Sequence, residues 1–455
     1  MKSIKPELLG GFQDFLPNEM ILRQKIISTI EKVYQKFGFL PLDTPCMERL
    51  NVLVGEETEF NKSIFTARIA RGKEDRDTDL GEDFFALRFD LTVPLARVVA
   101  AYPDLPKPFK RYQIGKVWRG EKPQQGRFRE FYQFDIDTIG ARSIASDTEI
   151  VIVMHEVMKS LEFKNFIIKI NNRKVLNGLS ELIKCKDPKE LFRVIDKVDR
   201  IGIDEVIREL EQKPERGYES FLGLSNEQTK IIRSFLEMRS DKSSSEVLNW
   251  LSIFLKDSPI GFEGVKELTE MVSLLRGADI KEENMVVDLS VARGLDYYNG
   301  PVFETFLPNN PDLGSVFSGG RFDGLSNRFL PDSNISGVGA SVGLDRIIIA
   351  IKKRSESINC ENRVLVTVFD HALLSKSFAI SQAFRSKGLV VECYIDDKPL
   401  KAQIAYAVRR EFTHAIIIGP EEISSEKLVL KDLGSRTQQT LTIEECLAIL
   451  LSGKR

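Results

Sequence analysis

The sequence predicts an α+β protein of several modules: a core mixing helices and strands, an internal helical segment and a C-terminal α/β unit. Its 455 residues exceed one ordinary hydrophobic core, and about 150 residues per domain suggests about three units. Helical periods separated by polar breaks dominate residues 173–275. After residue 360, apolar strand patterns alternate with helical ones, which is typical of a small α/β domain with a mainly parallel sheet.

The composition excludes several classes of protein. Apolar residues make up 42% and charged residues 29% of the chain, which are ordinary globular values. The net charge of −2 predicts that any nucleic-acid surface is a local patch. Five scattered cysteines and three histidines have no spacing suited to zinc or a redox pair, so no metal site held by protein residues alone is expected. No signal peptide or membrane helix is visible, and the expected location is the cytoplasm, without membrane contact.

The first elements are a helix and an extended segment. Apolar residues recur at helical spacing from Met20 to Phe37, with Asn18 as the expected N-cap. Pro41 and Pro45 then predict an extended stretch that is no central strand, because each proline removes a backbone donor.

A strand and a helix are predicted next, in "FFALRFDLTVPLARVVA". The two-residue alternation from Phe85 to Leu91 is typical of a strand with one buried face, which leaves Arg88, Asp90 and Thr92 on the other face. Thr92 is the expected cap of a helix running to about Ala101.

Residues 108–139 predict a long β-hairpin. In its second strand Gln133, Asp135 and Asp137 share one face, where two carboxylates repel each other unless a cation or a ligand meets them. The connector "RGEKPQQGRFRE" is rich in arginine, and the residues alone leave two alternatives about even: a solvated turn, or a phosphate or nucleic-acid site that begins at Arg119.

Two further stretches carry unexplained charges. "GVGASVGLDRI" does not fit the dinucleotide pattern G-x-G-x-x-G, but it places Arg346 at a helix start, from which it could reach a phosphate. "VARGLDYYNGPVFE" is either a strand edge with a tyrosine-rich solvent face or the source of a third phosphate-binding arginine, Arg293. Strand alternation predicts that Tyr297 points away from Tyr298 into packing.

Five stretches resemble the motifs of class II aminoacyl-tRNA synthetases, and within them the histidyl-tRNA synthetase family. "FGFLPLDTPCMERL" is similar to motif 1, "KRYQIGKVWRGEKPQQGRFREFYQFDID" to motif 2 and "GVGASVGLDRI" to motif 3. "ARGLDYYNGPVFE" and "SGGRFDGL" resemble the two signature peptides of the histidine-specific members. The resemblance covers essentially the whole chain.

The resemblance implies a fold and an assembly. The catalytic core is expected to be an antiparallel sheet flanked by helices, formed by residues 1–172 and 276–355. A helical insertion at 173–275 is expected to touch the acceptor arm of the tRNA, and an α/β domain at 360–455 to bind the anticodon. Motif 1 implies a homodimer.

The resemblance also implies site residues. For ATP with Mg²⁺, Arg119 would hold the α-phosphate, Glu121 would lie near the adenine and Arg346 would hold the γ-phosphate. Arg293 would lie beside the reacting carboxylate and the α-phosphate, so that Arg293 and Arg119 are the catalytic residues. The implied ligands of L-histidine are Asp90, Thr92 and Gln133 for the ammonium group, and Asp137 and Tyr298 for the imidazole; the implied tRNA contacts are Gln124 and Arg127.

The implied activity is the formation of histidyl-adenylate from histidine and ATP, followed by transfer of histidine to tRNA-His. Two alternatives are an inactive synthetase-like regulatory subunit of ATP phosphoribosyltransferase and a protein that binds tRNA alone. The chain departs from the family pattern at Phe322, where a tyrosine is usual, and at Asp137, where many members have glutamate. Phe322 removes one hydroxyl, and the shorter Asp137 implies a shifted imidazole or an intervening water.

Overall fold

The fold is seen in a computed structural model that describes residues 4–54, 64–67, 85–122, 128–212, 222–238, 242–292, 297–354 and 362–452. The chain divides into two compact units, residues 1–354 and 355–455. Each is described by itself. No helix among these ranges is both long and apolar enough to cross a membrane.

The first unit contains eleven strands among its described residues. They are β1 Leu40–Pro41, β2 Met47–Arg49, β3 Thr66–Ala67, β4 Phe85–Leu87, β5 Phe109–Trp118, β6 Glu130–Ile139, β7 Ile167–Asn172, β8 Met285–Val287, β9 Pro301–Phe306, β10 Phe317–Arg321 and β11 Gly337–Gly343. Eight of them form one sheet in the order β1-β5-β6-β11-β10-β9-β7-β8. The expected antiparallel sheet is found at its centre, but the outer pairs β1–β5 and β7–β8 are parallel, so the sheet is mixed.

Helices of the first unit flank this sheet and fill the segment between β7 and β8. They are α1 Pro17–Lys36, α2 Leu50–Leu53, α3 Thr92–Ala101, α4 Ile144–Ser160, α5 Arg173–Leu182, α6 Pro188–Ile195, α7 Val198–Ile201, α8 Ile203–Glu211, α9 Asn226–Glu237, α10 Ser244–Phe254, α11 Pro259–Gly277 and α12 Leu344–Lys353. The described part of residues 173–277 contains no strand.

The predicted hairpin is confirmed as β5 and β6, which pair from Phe109 with Ile139 to Trp118 with Glu130. Helix α1 is also present, but its first residue is Pro17 and its N-cap is Leu16, so the prediction of Asn18 as the cap is wrong. Proline suits this first position, because its missing N–H would have no partner in the helix anyway.

Two strand predictions are wrong in part. Strand β4 ends at Leu87, and the chain then turns so that Arg88 and Asp90 are buried along with their apolar neighbours. Between β8 and β9, residues 297–300 form turns and bends, and strand begins only at Pro301. Arg88 donates to the backbone carbonyls of Thr44 and Lys116, and the Asn299 side chain donates to the carbonyl of Asp323.

The two faces of the large sheet differ. On one face, Phe134 and Ile136 of β6 are fully buried, and the ring of Tyr34 from α1 packs edge-on against Phe134 with 5.0 Å between ring centroids. Burying such side chains supplies most of the stabilisation of a core. The other face carries the polar residues of β5, β6 and β11.

The second unit is a five-stranded sheet in the order β13-β12-β14-β15-β16, with helices of its own. Its elements are β12 Arg363–Val366, α13 Leu374–Ser386, β13 Val390–Cys393, α14 Leu400–Arg409, β14 His414–Ile417, α15 Pro420–Ser424, β15 Leu428–Asp432, β16 Gln438–Leu441 and α16 Ile443–Ser452. Only β13, β12 and β14 are parallel, so the expected mainly parallel sheet is mixed. The sequence prediction missed β16, whose first three residues are polar and exposed.

Candidate active site

The polar face of the sheet is centred on three residues of β6. The strand register places Asp137 between Arg111 and Gly339, Asp135 between Gln113 and Ser341, and Gln133 between Gly115 and Gly343. Alternation along β6 puts all three β6 side chains on the face opposite the apolar core.

Arg111 is the cation that the two carboxylates of β6 require. Its Nη2 lies 2.8 Å from Asp137 Oδ2 and donates to the carbonyl of Leu91 at 3.1 Å. The contact with Asp137 is within ion-pair distance without the directional geometry of a hydrogen bond. Both side chains are buried, so their attraction acts with little screening by solvent.

Glycine at position 339 makes room for Asp137. A Cβ at that position would lie 2.0 Å from Asp137 Oδ1 and 2.5 Å from the carbonyl oxygen of Ile136. Both distances are below any real carbon–oxygen contact, so no side chain fits without moving the carboxylate and the strand beside it.

Polar atoms on this face are buried without hydrogen-bond partners. Within the described part of the chain these atoms are Arg111 Nε and Nη1, Gln133 Oε1, Asp135 Oδ1 and Asp137 Oδ2. Buried polar groups in folded proteins are almost always satisfied, and a cluster of exceptions indicates a place where a ligand completes the hydrogen bonds.

Burial raises the pKa of both β6 carboxyl groups above the usual aspartate range, because removal from water disfavours the charged form. The positive charge of Arg111 acts in the opposite direction on both groups. A cationic ligand would therefore stabilise the charged form of the cluster.

Asp90 lies in the turn between β4 and α3 and is fully buried. Its Oδ1 accepts the backbone N–H of Val93 at 3.1 Å, so Asp90, and not the predicted Thr92, supplies the side-chain cap of α3. Its Oδ2 accepts the hydroxyl of Tyr297 at 3.3 Å. Burial raises the pKa of Asp90, while the Val93 N–H, the Arg119 charge and the Tyr297 hydroxyl oppose that effect.

The prediction that Tyr297 points away from Tyr298 is wrong, although its ring does pack against the apolar cluster that contains Phe322. Its hydroxyl reaches Asp90, and its ring meets that of Tyr298 edge-on at 5.2 Å between centroids. Because residues 297–300 are not a strand, consecutive side chains need not alternate. Tyr298 also lies near the cluster: after burial, the charge of Asp137 contributes most to raising its pKa, so its hydroxyl stays protonated.

Phe322 lies behind the two tyrosines. It is 4% exposed in an apolar cluster, and its ring meets that of Tyr297 edge-on at 6.0 Å.

Gln133 Nε2 donates to Ser341 Oγ at 3.4 Å, which holds that amide against β11.

Arg119 and Glu121 follow the end of β5. Arg119 Nε donates to the carbonyl of Phe89 at 3.1 Å, and its guanidinium carbon lies 5.1 Å from the ring centroid of Phe131. These contacts hold Arg119 beside the turn that carries Asp90. Glu121 is exposed, and its carbonyl oxygen accepts a hydrogen bond from Arg129 Nε at 3.1 Å.

Arg346 lies in the first turn of α12, where its Nη1 donates to the carbonyl oxygen of Ser315. Glu304 of β9 is close enough for the charge of Arg346 to act on it. Burial raises the pKa of Glu304 to about 8, with the charge of Asp196 next in importance.

The structure brings the residues predicted to bind histidine to one region. Gln133 and Asp137 belong to the buried polar cluster, the charges of Asp90 and Asp137 act on Tyr298, and Thr92 begins the adjoining helix. Three predicted residues, Arg293, Gln124 and Arg127, lie outside the described residues.

Sequence reasoning missed four contributors to the site: Arg111, Gly339, Tyr297 and Glu304. Two carboxylates on one face of β6 indicate that a cation lies nearby. The register of β5 against β6 cannot be read from the sequence, because the connector between them is long, so the residue of β5 opposite Asp137 was not predicted. Alternation in "PVFETF" could have placed Glu304 on the face of the strand opposite Phe303 and Thr305.

Comparison with known proteins identifies the family. Residues 11–347 match the family model described as histidyl-tRNA synthetase, and residues 357–452 match the anticodon binding domain. A relative named histidine--tRNA ligase from Clostridium tetani is 38% identical, with 98% of each chain covered. One of the same name from Wolinella succinogenes is 36% identical, also with 98% coverage of both.

Comparison with solved structures gives the same fold. The crystal structure of histidyl-tRNA synthetase from Nostoc sp. PCC 7120 matches 99% of this chain and 100% of that one, with a TM-score of 0.83 and 32% identity. A structure titled as an ATP phosphoribosyltransferase regulatory subunit/histidyl-tRNA synthetase from Bacillus halodurans shares the fold at a TM-score of 0.71 and 20% identity. The chain belongs to the histidyl-tRNA synthetase family.

Proposed function

We infer that the protein is an aminoacyl-tRNA ligase that activates L-histidine with ATP to histidyl-adenylate and transfers histidine to tRNA-His. The observation that supports this most strongly is the cluster of buried, unsatisfied polar atoms on β5 and β6, within a chain of this family. Histidine-dependent exchange of pyrophosphate into ATP is the test. Exchange should require histidine, and its absence would refute the proposal.

Histidine is proposed to bind on the polar face with its two ends recognised separately. Asp90, Thr92 and Gln133 hold the ammonium group, and Asp137 and Tyr298 hydrogen-bond the two imidazole nitrogens. A site that satisfies both ring nitrogens rejects amino acids that lack them by about 10⁴-fold or more, because the polar groups of the site would stay unpaired.

ATP is proposed to bind beside this pocket. Arg119 holds the α-phosphate, Arg346 the γ-phosphate, and Glu121 lies near the adenine. Arg293 is assigned a place beside the histidine carboxylate and the α-phosphate. Planar guanidinium groups suit these roles, because each can donate two parallel hydrogen bonds to phosphate oxygens.

Mg²⁺ is expected to enter with ATP. Mg²⁺ at nucleotide sites is usually held by phosphate oxygens, water and one or two carboxylates. Glu304 of β9 is the candidate for such a carboxylate, because it is close enough to Arg346 for their charges to interact. When bound with ATP, Mg²⁺ would supply positive charge to the phosphates.

The first reaction step is an in-line displacement. A carboxylate oxygen of histidine attacks the α-phosphorus, the bond to the bridging oxygen breaks, and pyrophosphate leaves. Negative charge gathers around the α-phosphorus, where Arg119 and Arg293 stabilise it. In the second step a ribose hydroxyl of the tRNA attacks the activated carbonyl carbon, and AMP leaves with the bonding electrons.

The tRNA is proposed to contact both units of the chain. The anticodon-binding domain at 357–452 meets the anticodon, while Gln124 and Arg127 of the hairpin connector meet the acceptor end, which the helical insertion at 173–275 also touches. The proposed location is the cytoplasm, where ATP and tRNA are available.

The alternative of an inactive regulatory subunit is not favoured. The chain carries the anticodon-binding domain, and full-length relatives at 36–38% identity are named histidine--tRNA ligase. Arg119 and Arg346 are both present at their motif positions.

The affinity for histidine should depend on pH through the β6 carboxyl groups. Their pKa values are raised to about 7 for Asp135 and about 6 for Asp137, so both groups are charged above these values and become neutral as the pH falls through them. We expect the KM for histidine to rise as the pH is lowered from 8 to 6. Free histidine titrates near pH ~6.5, so the control is Asp137→Asn, which should show a shallower rise. Identical profiles would contradict the role of Asp137.

Replacing Phe322 by tyrosine, the residue that is usual in the family, should tighten histidine binding. Phe322 lies against Tyr297, whose own hydroxyl bonds Asp90, so Phe322→Tyr adds a hydroxyl close to the site. One hydrogen bond contributes about 0.5–1.5 kcal/mol, so we expect a lower KM for histidine, by about two- to tenfold, and an unchanged KM for ATP. A higher KM for histidine would show that the hydroxyl has no partner there.

A homodimer is proposed from the apolar surface near the N-terminus. Leu40 on the edge strand β1 is 64% exposed, and Met47 on β2 is 50% exposed. Both belong to the stretch that resembles motif 1. We expect Leu40→Glu with Met47→Glu to convert the dimer to monomer in light scattering after size-exclusion chromatography. Ile253→Glu, an exposed residue of α10, should leave the dimer intact. A wild-type monomer would refute the proposal.

A further inference from the structure

Arg23 of α1 is a buried arginine that contacts the start of α12. Its side chain is 1% exposed, and its Nη2 donates to Asp345 Oδ1 at 2.5 Å. Asp345 directly precedes Arg346, the arginine assigned to the γ-phosphate. Arg23 thus connects the long first helix to the first turn of the helix that carries Arg346.

Two aromatic rings enclose the Arg23 guanidinium. Its central carbon lies 4.0 Å from the ring centroid of Phe15 and 5.1 Å from that of Tyr132 on β6. Contacts of this kind attract a cation to the ring face and fix the plane of the guanidinium. Arg23 is therefore held in one orientation from three sides: by Phe15, by Tyr132 and by Asp345.

Stability alone is a poor reason for this arrangement. Arg23 Nε and Nη1 are buried and make no hydrogen bond within the described ranges. A buried ion pair that leaves donors unsatisfied contributes little net stability, and apolar residues of similar volume often replace such pairs without loss. The contacts of Arg23 are better explained by their effect on the position of Asp345.

The contact fixes the rotation of the first turn of α12. Successive residues of an α-helix leave its axis about 100° apart, since 3.6 residues make a turn. With Asp345 held by Arg23, the direction in which Arg346 leaves the helix is also fixed, toward the carbonyl of Ser315, to which its Nη1 donates.

We propose that Arg23 is a positioning residue for Arg346: through Asp345 it sets the place of the guanidinium that receives the γ-phosphate of ATP. This inference rests on the proposed role of Arg346. Arg23 itself touches neither substrate. Its loss should weaken ATP binding in the ligase reaction and leave histidine binding unchanged.

The test replaces both members of the pair, so that no buried charge is left behind. We expect Arg23→Met with Asp345→Asn to keep the thermal unfolding temperature close to that of the wild type. In pyrophosphate exchange, the KM for ATP should rise about tenfold, because displacements of about 1 Å at a reacting group can cost up to ~10²-fold. Should the double variant fail to fold, Arg23→Lys keeps the charge and loses the planar contact with the rings, and a smaller rise in the KM for ATP is expected.

Lys352→Met is the matched control. Lys352 Nζ lies 3.2 Å from Glu19 Oε1 and also joins α12 to α1, about two helical turns from Asp345. Its removal should leave the KM for ATP at the wild-type value. An equal rise in this variant would show that any loosening of the two helices matters, which would overturn the specific role of Arg23.

A double-mutant cycle with Arg346→Gln separates the possible failures. If Arg23 acts through Arg346, its substitution should have no further effect on the KM for ATP once Arg346 is gone. A wild-type KM in Arg346→Gln alone would overturn the assigned role of Arg346, and the inference with it. A raised KM in Arg346→Gln with a wild-type KM in the Arg23 variants would overturn the inference alone.

Discussion

Replacing Arg119 by glutamine should lower the rate of histidine-dependent pyrophosphate exchange by about 10³-fold. A fixed cation at a phosphoryl centre is worth on the order of 10³-fold or more in rate, because it meets charge that develops in the transition state. Arg119 is held for this task by the carbonyl of Phe89 and the ring of Phe131. Arg119→Lys should recover only part of the rate, since an ammonium group cannot donate in two parallel directions.

The loss at Arg119 should appear in kcat and not in folding. The control is Arg142→Gln, an exposed arginine that donates to the carbonyl of Asn334 at 3.4 Å, and it should retain the wild-type rate. If Arg119→Gln is folded and exchanges pyrophosphate within about tenfold of the wild type, Arg119 does not hold the α-phosphate during the reaction.

The substitution Gly339→Ala should impair histidine recognition, with an effect almost as large as that of Arg119→Gln on the exchange rate. In Gly339→Ala the new carbon would start 2.0 Å from Asp137 Oδ1 and 2.5 Å from the Ile136 carbonyl. The side chain of Asp137 can rotate, but the backbone carbonyl belongs to a central strand and yields only at a cost of about 1–3 kcal/mol. We expect the KM for histidine to rise about 10²-fold and the free energy of unfolding to fall.

The matched control is Gly277→Ala, since a Cβ at Gly277 would meet no atom within 4 Å. That variant should keep the wild-type KM and stability. A Gly339→Ala protein that is folded and binds histidine normally would contradict the placement of the imidazole at Asp137. Thermal unfolding and exchange kinetics on the same samples distinguish the two effects.

The elements of the fold that depend on local patterns were predictable from the sequence. Alternation gave the hairpin of β5 and β6, and helical periodicity gave α1 and the helices after Arg173. The failures occur where side chains hold the backbone out of regular structure. Arg88 is one example: its guanidinium donates to carbonyls of Thr44 and Lys116, and this buried network ends β4 earlier than alternation predicts.

The candidate site was predictable in its chemistry but not in its pairing. The two aspartates of β6 predict a nearby positive charge. Only the strand register shows that Arg111 lies beside Asp137 and that Gly339 leaves space for the Asp137 side chain. Strand alternation predicts only packing for Tyr297, whereas the irregular segment at 297–300 also brings its hydroxyl to Asp90. The roles of Arg119, Glu121, Arg346 and Arg293 come from motif positions and stay predictions.

A crystal structure of the protein with histidine and a non-hydrolysable ATP analogue tests the central claim most directly. The account predicts the imidazole nitrogens within about 2.7–3.2 Å of Asp137 and Tyr298, the ammonium group at Asp90, and the α-phosphate on Arg119. Histidine bound in the reverse direction, with its ammonium group at Asp137, or bound away from the polar face of β5 and β6, would contradict it.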